Sequence, residues 1–174
     1  MIVKAFEFNK VNLSTNKFFL LYGENSGFKD EIIKKIEKNF TNNIFRYDEK
    51  EILENKENFL NSILSKSLFE NEKLIIVSRT TDKIKTLIEE IIEKNVEDIT
   101  LIFIANLLDK KSKLRNLFEK GKKIICIAFY PDTHQTLNII ADNYFKNKKI
   151  SISQEMLNLL IERSRGSRQS LYNE

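Results

Sequence analysis

One stretch of this 174-residue chain has the spacing of a phosphate-binding loop. Gly23-Glu24-Asn25-Ser26-Gly27-Phe28-Lys29-Asp30 follows an apolar run and precedes helical periodicity. In that context the pattern G-x-x-x-x-G-K-[ST] cradles phosphates with backbone N–H groups, a lysine and a magnesium-ligating hydroxyl. Gly23 and Lys29 fit the frame. Phe28 stands at the second glycine, where a side chain keeps the backbone away from phosphate, and Asp30 replaces the hydroxyl with a carboxylate that repels the same phosphates. The pattern favours a loop that has lost phosphate binding, and an ordinary strand-to-helix turn fits equally well. The opposing reading is a nucleotide-binding ATPase or kinase-like enzyme using Gly23 and Lys29.

Other residues have the types for chemistry but not the setting. Asp109 follows an apolar strand and is followed by Lys110 and Lys111, which reads as an acidic cap at a solvated helix start rather than a water-activating carboxylate. Cys126 lies inside an apolar run and behaves as a small core residue, while His134 opens a helix, so they do not read as a nucleophile and base. Lys110, Lys111, Lys113, Arg115, Lys120, Lys122 and Lys123 form the densest basic region. Because Leu114, Leu117 and Phe118 give the same segment a core-facing stripe, a solvated helix face is favoured over a single-stranded DNA site. Ser67-Leu68-Phe69 resists a bland account. Two large apolar side chains sit at a polar connection before Leu74, and they either tuck back on the helix end or project into a partner's pocket.

Composition bounds the rest. At about 100–200 residues per domain, this length allows one domain or one with a small appendage. Hydrophobic residues at 41% and charged residues at 31% are enough for a packed core. The net charge of +4 comes from 29 basic and 25 acidic residues, too mixed for a dominant nucleic-acid-binding field. One cysteine excludes an internal disulfide framework, and with one histidine it cannot build a Cys/His zinc site, so no metal or cofactor is expected and a reducing, cytoplasmic setting fits. No run approaches the roughly 20 apolar residues of a membrane span, and MIVKAFEFNK lacks the apolar core of a signal peptide.

Four glycines and one proline predict long, regular elements. Short apolar runs at 18–22, 44–47, 74–77, 99–105 and 124–128 read as strands. They alternate with helical stripes at 27–39, at Phe59 to Leu64 ending near Ser67, through Ile84 to Ile92, and at Leu114 to Phe118 with Gly121 closing it. Alternation of this kind implies an α/β fold with a parallel sheet covered on both faces. After Pro131 only helices follow, through Leu137 to Phe145, then Met156 to Ile161 with Ser153 as N-cap, then a last helix after Gly166.

Five segments in order resemble the delta subunit of bacterial DNA polymerase III, the clamp-loader member that opens the sliding clamp. They are LLYGENSGFKDEI, SLFENEKLIIV, TLIFIANLLDKKSKLRNLFEKGK, IAFYPDTHQTLNIIADNYFKNKKISISQEMLNLLIERS and RGSRQSLYNE, spanning nearly all of 17–174. The resemblance implies an AAA+-like domain over 1–133 with a degenerate phosphate loop, and a small helical, lid-like domain over 134–174. Leu68 and Phe69, beside Ser67, match the hydrophobic pair that delta inserts into the clamp's peptide-binding pocket; clamp-binding peptides commonly carry a glutamine upstream, and the corresponding residue here is Leu64. Arg168 lies where active AAA+ relatives carry a nucleotide-sensing arginine. No catalysis is then expected in this chain, which by family is a subunit of a DNA-directed DNA polymerase (nucleotidyltransferase) holoenzyme. Its implied partners are the sliding clamp (beta subunit) and other loader subunits, with DNA contacted mostly indirectly and no membrane. Delta-like chains continue into a helical collar domain that assembles the loader. The last helix, from Arg168 to Glu174, stops within its pattern without a C-cap, so the chain is expected to be the N-terminal portion.

Overall fold

The computed structural model describes the chain except for residues 41–42, 65–71, 95 and 97, and the side chain at position 64. The described residues form two compact units, Met1–Gly23 with Ile32–Ala128, and Glu24–Glu31 with Phe129–Glu174.

The first unit is built on a six-stranded sheet. Its strands are β1 (Ile2–Lys4), β2 (Phe18–Gly23), β3 (Ile44–Asp48), β4 (Lys73–Ser78), β5 (Ile99–Ala105) and β6 (Ile124–Phe129), in the order β1-β6-β2-β5-β4-β3. Phe18 pairs with Leu101, Lys73 with Ile99, Ile44 with Leu74 and Ile2 with Cys126, all in parallel register. Parallel neighbours need crossovers, which are supplied by α1 (Ser26–Glu37), α2 (Glu49–Glu54), α3 (Lys56–Leu64), α4 (Lys85–Glu93) and α5 (Lys113–Lys120). On one face Leu20, Tyr22, Ile75, Val77, Leu101 and Phe103 pack into a single cluster with Phe59, Ile88 and Phe118 from the helices. The alternate residues Phe19, Leu21, Ile76 and Ile102 point the other way and are equally buried, so the central strands read as unbroken apolar runs. Each such side chain contributes about 1.5–3 kcal/mol by leaving water.

Two elements differ from the sequence reading. The sheet has six strands rather than five, because β1 is a three-residue edge strand whose exposed and half-buried positions form no apolar run. A separate helix, α2, precedes α3. It carries one buried aliphatic residue, Ile52, and is nucleated instead by a capping box in which Asp48 accepts from the Lys50 N–H and Glu51 reaches back to the Asp48 N–H.

The start of α5 corrects the cap assigned to Asp109. That carboxylate accepts from the Lys111 N–H within the preceding turn, whereas the N-cap is Ser112, whose hydroxyl accepts from the Arg115 N–H at 3.1 Å. Asp82, 30 residues upstream, completes the cap by accepting from the Ser112 hydroxyl at 2.6 Å and from the Lys113 and Leu114 N–H groups at 3.0 and 2.9 Å. One carboxylate thus satisfies helix donors that have no partner within their own helix.

The second unit contains α6 (His134–Lys148), α7 (Gln154–Arg163) and α8 (Arg168–Asn173). Leu137, Ala141, Leu157, Ile161 and Leu171 form its core. Ser153 caps α7 as its position implied, accepting from the Met156 N–H at 3.2 Å. Gly166 adopts φ +81 between α7 and α8, a left-handed conformation that glycine reaches without a Cβ penalty. No helix among the described residues is long and apolar enough to cross a membrane.

Replacing Asp82 with alanine strands the first donors of α5. The variant is expected to lose about 1–2 kcal/mol of stability, read as a lower urea midpoint at unchanged slope.

Candidate functional site

The phosphate-loop frame can be judged by where its backbone N–H groups point, because a working loop aims them at its ligand. Here the N–H groups of Gly23, Glu24, Asn25, Ser26, Phe28 and Lys29 are already taken. The Glu24 and Asn25 N–H groups donate to the Phe129 carbonyl at 3.1 and 3.4 Å, Ser26 donates to the Glu24 carbonyl at 2.9 Å, and Phe28 donates to the Asn25 side-chain oxygen at 3.0 Å. Lys29 closes the first helical turn onto the Asn25 carbonyl. Gly23 ends β2 with φ +124, and its N–H goes to the Asn106 carbonyl.

The side chains continue this pattern. Lys29 is buried, and desolvation lowers its pKa against the opposing pull of the Asp30 charge. Phe28 packs edge to face on Phe129 with centroids 5.4 Å apart, and the Arg168 guanidinium lies 3.8 Å from the Phe28 ring centroid. Arg168 is itself almost fully buried, its side chain 7% exposed. Its Nε and Nη2 donate to the two Asp132 oxygens at 2.9 and 2.6 Å, a bidentate fork, and Nη1 donates to Glu31 at 2.8 Å. Asn25 braces the arrangement by donating through Nδ2 to Asp132 at 2.8 Å and to the Tyr130 carbonyl at 3.0 Å. Gly27 makes room for it, because a Cβ there would come within 2.9 Å of the Arg168 stem and 3.3 Å of the Gln169 backbone nitrogen.

These groups shift one another's protonation. Burial alone would raise the Asp132 pKa, but hydrogen bonds from Arg168 and Asn25, with the Arg168 charge, more than offset it and hold the carboxyl below its usual range. Burial works against the Arg168 cation too, yet Asp132 and Glu31 raise its pKa. The Tyr172 phenol is pushed up by burial and then by the charge of Glu31. With one cation against two carboxylates, the cluster around Arg168 carries net negative charge, the wrong sign for holding phosphate.

Of the remaining candidates, Cys126 is buried in β6 with its thiol pushed to about 12, first by burial and then by the Glu119 charge, so it is a poor nucleophile. His134 is exposed at the first turn of α6. Arg115 drops out of the basic patch, since it donates to Glu119 and the Leu108 carbonyl and lies 5.1 Å from the Tyr22 ring centroid. Lys110, Lys111, Lys113, Lys120, Lys122 and Lys123 face solvent. Ser67, Leu68 and Phe69 lie outside the described residues.

A family model described as DNA polymerase III, delta subunit, matches residues 19–128, well over half of the chain. The chain belongs to the DNA polymerase III delta subunit family. Among solved structures, this delta-family chain is similar to the DNA clamp loader delta protein of Bacillus subtilis, with a TM-score of 0.67 and 15% identity. That match covers 97% of this chain and 55% of the other, so the chain spans about half the length of that relative. It is also similar to domain III of the Thermotoga maritima replication initiation protein DnaA, with a TM-score of 0.51 and 15% identity over 97% of this chain and 77% of that one. At such identities the likeness concerns the fold, a parallel-sheet α/β architecture with helices. Comparison with curated proteins gave no sequence match.

Local pattern pointed to Gly23, Lys29 and Phe28 but not to Asn25, Glu31 or Asp132. Asp132 and Glu31 are 36 and 137 residues from Arg168, and no periodicity links groups so far apart.

The Asp132 carboxyl is depressed in the folded state, so its interaction stabilises the protein fully above the unfolded aspartate value of about 3.9 and is lost as pH falls through the lower folded value. Wild type is therefore expected to exceed Asp132→Asn in thermal midpoint at neutral pH, with the gap closing on acidification below about pH 4. Parallel melts across that range check it.

Proposed function

We propose that this chain is a non-catalytic clamp-opening subunit of the DNA polymerase III holoenzyme, binding the sliding clamp and shifting it toward an open state during DNA replication. Membership of the delta subunit family carries the reading. It is supported by a loop of phosphate-site spacing in which the N–H groups of Glu24, Asn25, Ser26 and Phe28 are bonded internally and whose neighbouring cluster is net negative, features that fit a subunit working without ATP chemistry of its own. The anchors are Leu68 and Phe69, with Ser67 beside them, an assignment that rests on the sequence resemblance. Two desolvated apolar anchors can supply several kcal/mol, and preferential binding to the open ring shifts the clamp equilibrium by that difference in affinity without any bond being made or broken. On this reading residues 134–174 form the lid-like domain, ATP is hydrolysed in neighbouring loader subunits joined through a collar domain, and contact with DNA is mostly indirect.

Truncating both anchors, Leu68→Ala with Phe69→Ala, is expected to weaken binding to the cognate sliding clamp by roughly a hundredfold, about 3 kcal/mol. Unchanged affinity in a surface-immobilised clamp assay would remove the anchor assignment.

Titration of the wild-type chain with ATP and magnesium in a calorimeter is expected to give no saturable heat. Micromolar binding abolished by Lys29→Ala would favour the rival, a nucleotide-binding enzyme built on Gly23 and Lys29.

A further inference from the structure

The loop frame at 23–30 has the pattern of an anion site, yet the groups gathered around Phe28 have the opposite polarity. We infer that Asn25, Phe28, Glu31 and Asp132 form a cation site selective for a guanidinium, and that its resident ligand is the chain's own Arg168. The contacts are those that planar guanidinium recognition requires. Asp132 takes two parallel N–H bonds in the plane of the group, Glu31 takes a third from the remaining nitrogen, and Phe28 offers its ring 3.8 Å away, where the negative quadrupole attracts a cation. Asn25 holds both halves of the receptor, accepting from the Phe28 N–H through Oδ1 and donating to Asp132 through Nδ2. The site has room for this ligand only because position 27 lacks a Cβ.

Burial makes the ligand obligatory. The Asp132 side chain is 5% exposed, and without Arg168 it would face Glu31 with no cation between them. A covalently attached guanidinium therefore does permanently what an exchangeable phosphate could do only when bound. It orders Glu24–Glu31 against α8, so that this segment keeps one conformation at any nucleotide concentration. A lysine is a compact cation without the planar fork and does not reproduce the contacts.

The test uses the full chain and hydrogen exchange of the 24–31 amides, with methylguanidinium as probe and tetramethylammonium at equal ionic strength as control. In Arg168→Ala these amides are expected to exchange about tenfold faster or more. Millimolar methylguanidinium should restore protection saturably, tetramethylammonium should not, and the rescue should vanish in Arg168→Ala/Asp132→Asn. Unchanged protection in Arg168→Ala, or recovery with inorganic phosphate but not methylguanidinium, overturns the inference. Should the alanine variant not fold, Arg168→Lys takes its place. Faster exchange confined to 24–31, with α6 and α7 unaffected, supports the site, and wild-type protection in that variant overturns it. Clamp affinity is a separate readout, so failure of either proposal is distinguishable from failure of the other.

Discussion

A buried parallel sheet leaves its sequence little freedom. Its strands must be apolar on both sides, its neighbours in space must be joined by crossovers, and its ladder must satisfy backbone groups that have no access to water. In the first unit these demands account for the unbroken runs of β2, β4 and β5 and for the helices that separate them. The backbone turns leaving β2, β4 and β5 inherit a second demand, since polar groups at strand ends still need partners. Gly23 meets it through Asn106, Thr80 through the Ile104 carbonyl, and the Thr81 N–H through the Glu49 carboxylate.

Charged groups follow the same accounting over longer distances. Asp82 serves a helix that begins some 30 residues later, and Arg168 serves a loop that lies more than 130 residues earlier. In both cases a side chain supplies what the local backbone lacks, and in both the removal of one partner leaves another buried or half-buried group unmatched. In the second unit the segment Glu24–Glu31 is thereby part of the packing around Arg168.

What could be read directly from the residues divides along the same line. Ile99 to Ala105 declared itself as a strand because seven successive positions are apolar or β-branched, and Ser153 declared itself as a cap by its place before a helical stripe. β1 did not, since a three-residue edge strand exposed at Ile2 and Lys4 carries no periodic signal, and α2 did not, since a capping box rather than an apolar face sustains it. At the candidate site, Phe28 and Asp30 are legible as departures from the phosphate-loop pattern, because that pattern is local. The partners of Arg168 were not legible, for its role depends on contacts between segments that only the folded chain brings together. Leu68 and Phe69 stand out in the sequence as an apolar pair at a polar connection, and their role as anchors comes from the family resemblance alone.

The internally bonded loop also sets what building a nucleotide site at this position would demand. Restoring glycine at position 28 and threonine at position 30 would repair the motif as text, yet the N–H groups of Glu24 and Asn25 would still be committed to the Phe129 carbonyl and Arg168 would still bring Asp132 and Glu31 beside the helix start. Nucleotide binding would need the donors freed, the carboxylates displaced and Arg168 released together, with each single step leaving a buried group unpaired.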